Sequence, residues 1–81
     1  MEHNPLAGVR KLSEYRAQRA HVFPSDNALQ WFVRNHKSAL IEAGALVMLT
    51  GQWHAVDEKF DAYVVQAGQR AAQSRARVAA A

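Results

Sequence analysis

Ala45-Leu46-Val47-Met48-Leu49-Thr50-Gly51-Gln52-Trp53-His54-Ala55-Val56 is the stretch that decides the fold. β-Branched and aromatic residues flank a Thr-Gly pair, and glycine tolerates the positive φ that a tight hairpin turn demands. The pattern predicts strands over 46–49 and 52–56, with Trp53 opposite Met48 or Leu49 as a cross-strand pair.

Upstream of the hairpin, Gly44 is a natural residue to end a helix. Ser25 is an N-cap candidate, and Asp26 sits in the first turn, where negative charge suits the helix dipole. Ala28, Leu29, Trp31, Phe32 and Val33 then form a wide apolar face, while Gln30 and Arg34 point the other way. Both Trp31 and Trp53 are expected in the core. A polar run over 34–38 interrupts the pattern before Ala39, Leu40, Ile41 and Ala43 resume it. Two readings fit: one helix over 26–43, or a helix over 26–34, a turn at 35–37 and a short helix over 37–43. Asn35 favours the break. His21-Val22-Phe23-Pro24 is extended, because Pro24 pushes Phe23 away from helical angles. It serves as a short strand, a hydrophobic plug or the entry into the next helix. Residues 6–20 read as a helix with Val9, Leu12, Tyr15 and Arg16 on one face.

Downstream, Asp57 caps a last helix. Asp57, Glu58 and Asp61 load its first turns with negative charge, and Phe60, Tyr63, Val64, Ala67 and Ala71 keep helical spacing. Gly68 costs about 1 kcal/mol inside it, and marks either a close approach to another backbone or a weak point. The expected organisation is a basic N-terminal helix or arm (1–21), a folded domain (22–72) and a flexible Ala/Arg-rich tail (73–81). The fold class is mainly α with one β-hairpin.

Composition narrows the function. The chain has 81 residues, of which 49% are hydrophobic, with two Trp, two Tyr and three Phe. That suits one small folded domain and not a disordered chain. No cysteine is present, which excludes disulfides and Cys-based zinc fingers and makes a reducing, cytoplasmic setting the expectation. The first residues are polar and show no signal-peptide core, and the longest apolar run, 43–49, is far too short to span a bilayer. Net charge is +3 and the isoelectric point about 9.8. Arg10, Lys11, Arg16 and Arg19 lie before residue 20, and Arg70, Arg75 and Arg77 near the end. Basic flanks around a balanced centre suit a protein that straddles a phosphate backbone.

No enzyme constellation is visible. His3, His21, His36 and His54 are scattered, with no helical pair and no Cys partner, so no metal site is expected. No Gly-x-Ser-x-Gly elbow occurs, and the glycines at 8, 44, 51 and 68 are isolated, so no phosphate loop forms. Asp57, Glu58 and Asp61 read as helix-cap chemistry and not as acid/base chemistry. No cofactor and no catalysis are expected.

What remains is an order of helix, polar turn, short helix, hairpin and helix, the layout of a winged helix-turn-helix. On that layout, helix 37–43 enters the major groove of double-stranded DNA. Arg34, Asn35, His36, Lys37 and Ser38 lie at its start as donors to phosphates or base edges. Thr50 and Gln52 flank Gly51 at the wing tip, and Arg16 and Arg19 add phosphate contacts. The motifs Phe23-Pro24-Ser25, Ala28-Leu29-x-Trp31, Ile41-Glu42-Ala43-Gly44-Ala45-Leu46-Val47, Gly51-x-Trp53 and Asp57-x-x-x-Asp61 resemble the small excisionase-type and MerR-type winged-helix proteins of bacterial mobile elements and plasmids. The resemblance covers about residues 22–66. It departs from that family in a second helix poor in arginine and in a wing tip without Arg or Lys. It implies sequence-specific DNA binding, as a transcriptional regulator or an architectural factor in the bacterial cytoplasm. One such domain buries little surface, so a homodimer through Tyr63, Val64 and Ala67 of the last helix is expected. The competing reading is a small protein-interaction module, an inhibitor or adaptor without nucleic-acid binding, using Trp31 or Trp53 as an exposed anchor.

Overall fold

The computed structural model describes residues 6–80, with side chains as far as residue 76. Residues 1–5 of the expected arm and Ala81 of the expected tail lie outside the described residues. The order is β1 (Val9–Lys11), α1 (Leu12–Gln18), α2 (Asp26–Glu42), β2 (Leu46–Leu49), β3 (Gln52–Val56) and α3 (Asp57–Ala80). The fold is mainly helical, with a three-stranded antiparallel sheet in the order β1-β3-β2.

The hairpin lies where the sequence places it, and Met48 faces Trp53. Its two-residue turn has positive φ at both Thr50 and Gly51 (50° and 75°), the twist that joins two antiparallel strands without splaying them. The third strand departs from expectation. Residues 6–20 are not one helix, because Val9, Arg10 and Lys11 pair with Val56, Ala55 and His54. This pairing satisfies the second edge of β3, which would otherwise expose a row of unpaired amides and carbonyls. Arg10 then meets Asp57, with Nε 2.8 Å from Oδ2. Asp57 is the first residue of α3; its amide donates to the Gly8 carbonyl at 2.7 Å.

Ser25 caps α2 by accepting from the Ala28 amide at 3.2 Å. The favoured break at 35–37 is a kink and not a turn: one residue, His36 (φ −124°, ψ 17°), leaves the helical region and the chain resumes the helix to Glu42. Leu40 is fully buried on the same side as Leu29 and Val33, and this shared burial keeps the two halves nearly in line. Gly44 (φ 75°) ends the helix. Its amide donates to the Ile41 carbonyl and that of Ala45 to the Leu40 carbonyl, at 3.0 and 2.9 Å, a complete Schellman motif. Residues 21–24 form a turn and entry segment with no strand, and Phe23 plugs the core.

The core is Tyr15, Phe23, Leu29, Val33, Leu40, Ala45, Leu46, Ala55, Phe60 and Tyr63. Tyr15 and Phe60 lie at its centre, ring centroids 4.6 Å apart. The Tyr15 hydroxyl donates to Asp61 Oδ1 at 2.6 Å. Arg19 reaches the same carboxylate from the other side, with Nη2 2.8 Å from Oδ2, while its guanidinium lies 4.0 Å over the Tyr15 ring. α1 is thereby tied to α3. Only the first half of α3 packs; residues 68–76 are exposed, and the helix continues unbroken through the segment expected as tail.

Two outcomes follow from these contacts. The Arg19 hydrogen bond holds the Asp61 carboxyl below the usual carboxylate range, so its stabilisation is present above about pH 4 and lost as pH falls through the lowered value. Burial, then Asp61, pushes the Tyr15 hydroxyl well above its ordinary value. Its stabilisation is present below about pH 10 and is lost on further alkalinisation. Thermal melts across pH should therefore show a plateau that falls at both ends, and Tyr15→Phe should flatten the alkaline limb. Separately, Thr50 is a β-branched residue at positive φ. Thr50→Asn should raise stability by about 0.5–1 kcal/mol in urea unfolding, since Asn accepts that conformation more readily.

Candidate nucleic-acid interface

The buried stripe of α2 sets which residues remain outside. Leu29 and Val33 face the core, and helical periodicity turns Asn27, Gln30, Trp31 and Arg34 to solvent. Trp31 is 65% exposed, a correction to its expected place in the core. Apolar residues at 28, 29, 31, 32 and 33 span more than half of the helix circumference, so the side of α2 that meets the core cannot bury them all. Trp53 is half-buried at the wall of the hairpin. Lys37 lies over its ring, with Nζ 4.8 Å from the centroid. Gln30, Arg34, Lys37 and Trp53, with Leu12 and Val33 beneath, line a hollow of about 360 Å³ between α2 and β3.

The residues singled out from sequence separate into two groups. Arg34, Lys37, Ser38, Thr50 and Gln52 are exposed; the first two share the hollow, and Thr50 and Gln52 flank the hairpin tip. The Thr50 hydroxyl donates back to the Leu49 carbonyl at 2.6 Å. Asn35 is exposed, but its amide donates to the Trp31 carbonyl at 2.7 Å. His36 turns inward: its ring stacks on Phe32 at 4.4 Å, and Nδ1 is hydrogen-bonded to the Tyr63 hydroxyl at 2.8 Å. Arg16 lies 2.8 Å from Asp26 and donates to the Phe23 carbonyl at 3.3 Å. Arg16 and Arg19 thus have carboxylates at hand and form no patch with Arg34 and Lys37. No separate helix begins at 37, so no free helix N-terminus is presented by residues 35–38. Asn27 and Gln30, which sequence reasoning passed over as contacts, belong to the exposed surface. The Leu29–Val33 spacing was the signal that could have found Asn27 and Gln30.

Charge is distributed unevenly around this surface. Among the described residues, Arg10, Arg16 and Arg19 are paired with Asp57, Asp26 and Asp61, whereas Arg34 and Lys37 have no carboxylate partner. No acidic residue occurs over 27–41 or 43–56. Between its acidic ends, Asp26 and Glu42, the outer face of α2 carries hydrogen-bond donors and no carboxylate, and the hairpin beside it has none. No helix of the described residues is long and apolar enough to cross a membrane, and no cluster of potential metal ligands occurs among them. Comparison with protein-family models, curated proteins and solved structures gives no match, so the site is read from its own geometry.

The two tryptophans provide a direct check. Iodide should quench Trp31 strongly and Trp53 weakly, so Trp31→Phe should remove most of the quenchable emission and Trp53→Phe little of it.

Proposed function

We propose that this chain is a sequence-specific double-stranded DNA-binding protein of the winged helix-turn-helix class. α1 and α2 form the helix-turn-helix, the outer face of α2 lies in the major groove, and the β2–β3 hairpin is the wing. The observation that carries the reading is the pair Arg34 and Lys37, which share a hollow beside the hairpin and have no carboxylate partner among the described residues. The sheet order supports it, since the hairpin is braced by β1 and stands beside the exposed face of α2. The reading helix is all of α2 and not residues 37–43, which are its continuation beyond the kink.

Residue chemistry divides the contacts. Asn27 and Gln30 suit adenine edges and Arg34 suits guanine, while Lys37, Ser38, Thr50 and Gln52 suit phosphates. A transcriptional regulator or an architectural factor fits this interface equally. The exposed Trp31 favours a second reading, a protein-interaction module without nucleic-acid binding.

Selection from a random duplex pool, followed by salt titration of the enriched site, separates the two. DNA binding predicts an enriched motif and affinity that falls linearly with salt on logarithmic axes. Each lost phosphate contact should lower the slope by about 0.9, so Arg34→Ala/Lys37→Ala should lower it by up to about 2. A flat pool without salt-dependent affinity would reject the DNA reading and leave the interaction module.

A further inference from the structure

The hollow between α2 and β3 is built from parts of opposite character. Its floor and far wall are apolar: Leu12 at the start of α1, Val33 of the core stripe and the ring of Trp53. Its rim is polar: Gln30, Arg34 and Lys37, all from α2. These three follow one another at steps of four and three residues, so they share one helix face. The volume, about 360 Å³, lies at the lower end of the range for small-molecule pockets, roughly 300–1,000 Å³. It suits a ligand of one or two rings. The walls are set in advance, because β3 is paired on both sides and Val33 is buried, so little is left to order on binding.

Two observations fix the chemistry of the occupant. The first is that Lys37 Nζ lies 4.8 Å from the centroid of the Trp53 ring. A face of the indole is therefore open to the hollow, and what lies over it is the end of an exposed, flexible chain that can swing aside. A planar ring entering the hollow stacks on that face. The second is charge. Arg34 and Lys37 have no carboxylate partner among the described residues, and Asp26, the acid at the start of α2, is engaged by Arg16. Like charges one helical turn apart repel. An anionic group placed between them relieves the repulsion, and the guanidinium offers it a two-pronged donor.

We propose that the hollow is a binding site for a small planar aromatic anion. The ring lies against Trp53 over the floor of Leu12 and Val33, and the anionic group bridges Arg34 and Lys37 beside the Gln30 amide. The site does not depend on the DNA reading. Where both hold, ligand and duplex compete for the same two cations, and occupancy of the hollow releases the protein from DNA.

The test is a titration of the full chain with 2-naphthoate, without DNA, in the Trp31→Phe variant. Trp31 is 65% exposed, so the fold tolerates the change, and Trp53 is then the sole tryptophan. Its indole N–H signal, followed by nuclear magnetic resonance, should shift saturably. Naphthalene-2-methanol, the neutral isostere, and acetate, the anion without a ring, should each bind about tenfold more weakly or worse. Adenosine monophosphate in the same titration distinguishes a phosphate-bearing base from an aromatic acid as the better ligand. Arg34→Gln/Lys37→Gln, at two exposed positions, should weaken the binding by about tenfold or more with the melting temperature unchanged. Absence of a saturable shift with both aromatic anions overturns the proposal. Equal binding of the neutral isostere does so too, as does binding indifferent to the double substitution. Duplex selection fails or succeeds separately: a pool without an enriched motif leaves this site standing, and a silent naphthoate titration leaves the DNA reading standing.

Discussion

β3 holds the molecule together because it is the only described strand paired on both sides. A two-stranded hairpin is marginal in water by itself; β1 adds the third strand and brings Arg10 to Asp57. Ala55 of β3 is wholly buried, and a larger side chain there would press on the helices packed against the sheet. One face of the hairpin then runs from core to interface. Ala55 and Leu46 are buried, while Trp53 and Met48, the next pair on that face, emerge beside Lys37. The strand that organises the core thus also supplies a wall of the candidate site, so the distance between wing and α2 is set by core packing.

The ion pairs matter more for where they leave charge than for their energy. Exposed and half-exposed pairs contribute at most about 1 kcal/mol each. Their larger consequence is spatial. Asp26, Asp57 and Asp61 compensate the arginines of β1 and α1, so the modest net charge of +3 is not spread evenly. Arg34 and Lys37 are among the cations left without a carboxylate. A polyanion approaching the protomer meets uncompensated cations on α2 even though the chain as a whole is only mildly basic.

What could be read from sequence follows the range of the interactions involved. The hairpin was legible because alternation and turn chemistry are local, and so were the Ser25 cap and the Gly44 stop. β1 was not, because three residues carry no periodicity and their extended form is imposed by β3 more than forty positions away. Arg16 and Arg19 looked like free phosphate contacts because nothing near them in sequence shows that Asp26 and Asp61 fold back onto them. At residues 34–38 the composition was read correctly as polar, but the orientation was not. The kink turns His36 inward to Tyr63 while leaving Arg34 and Lys37 outside, and only the burial of Leu40 beyond the kink fixes that phase.

His36 therefore has a position that no single motif describes. It stands where α2 leaves helical geometry, stacked on Phe32 and bonded to Tyr63 of α3. Phe32 and His36 border an apolar groove between α2 and α3, whereas the next residue, Lys37, belongs to the hollow on the opposite side. The two surfaces of the molecule are consequently not independent objects on a rigid rod. They share one kinked helix whose bend is anchored to α3. The bend, and the two surfaces on either side of it, are thus held by the packing of His36 against Phe32 and Tyr63.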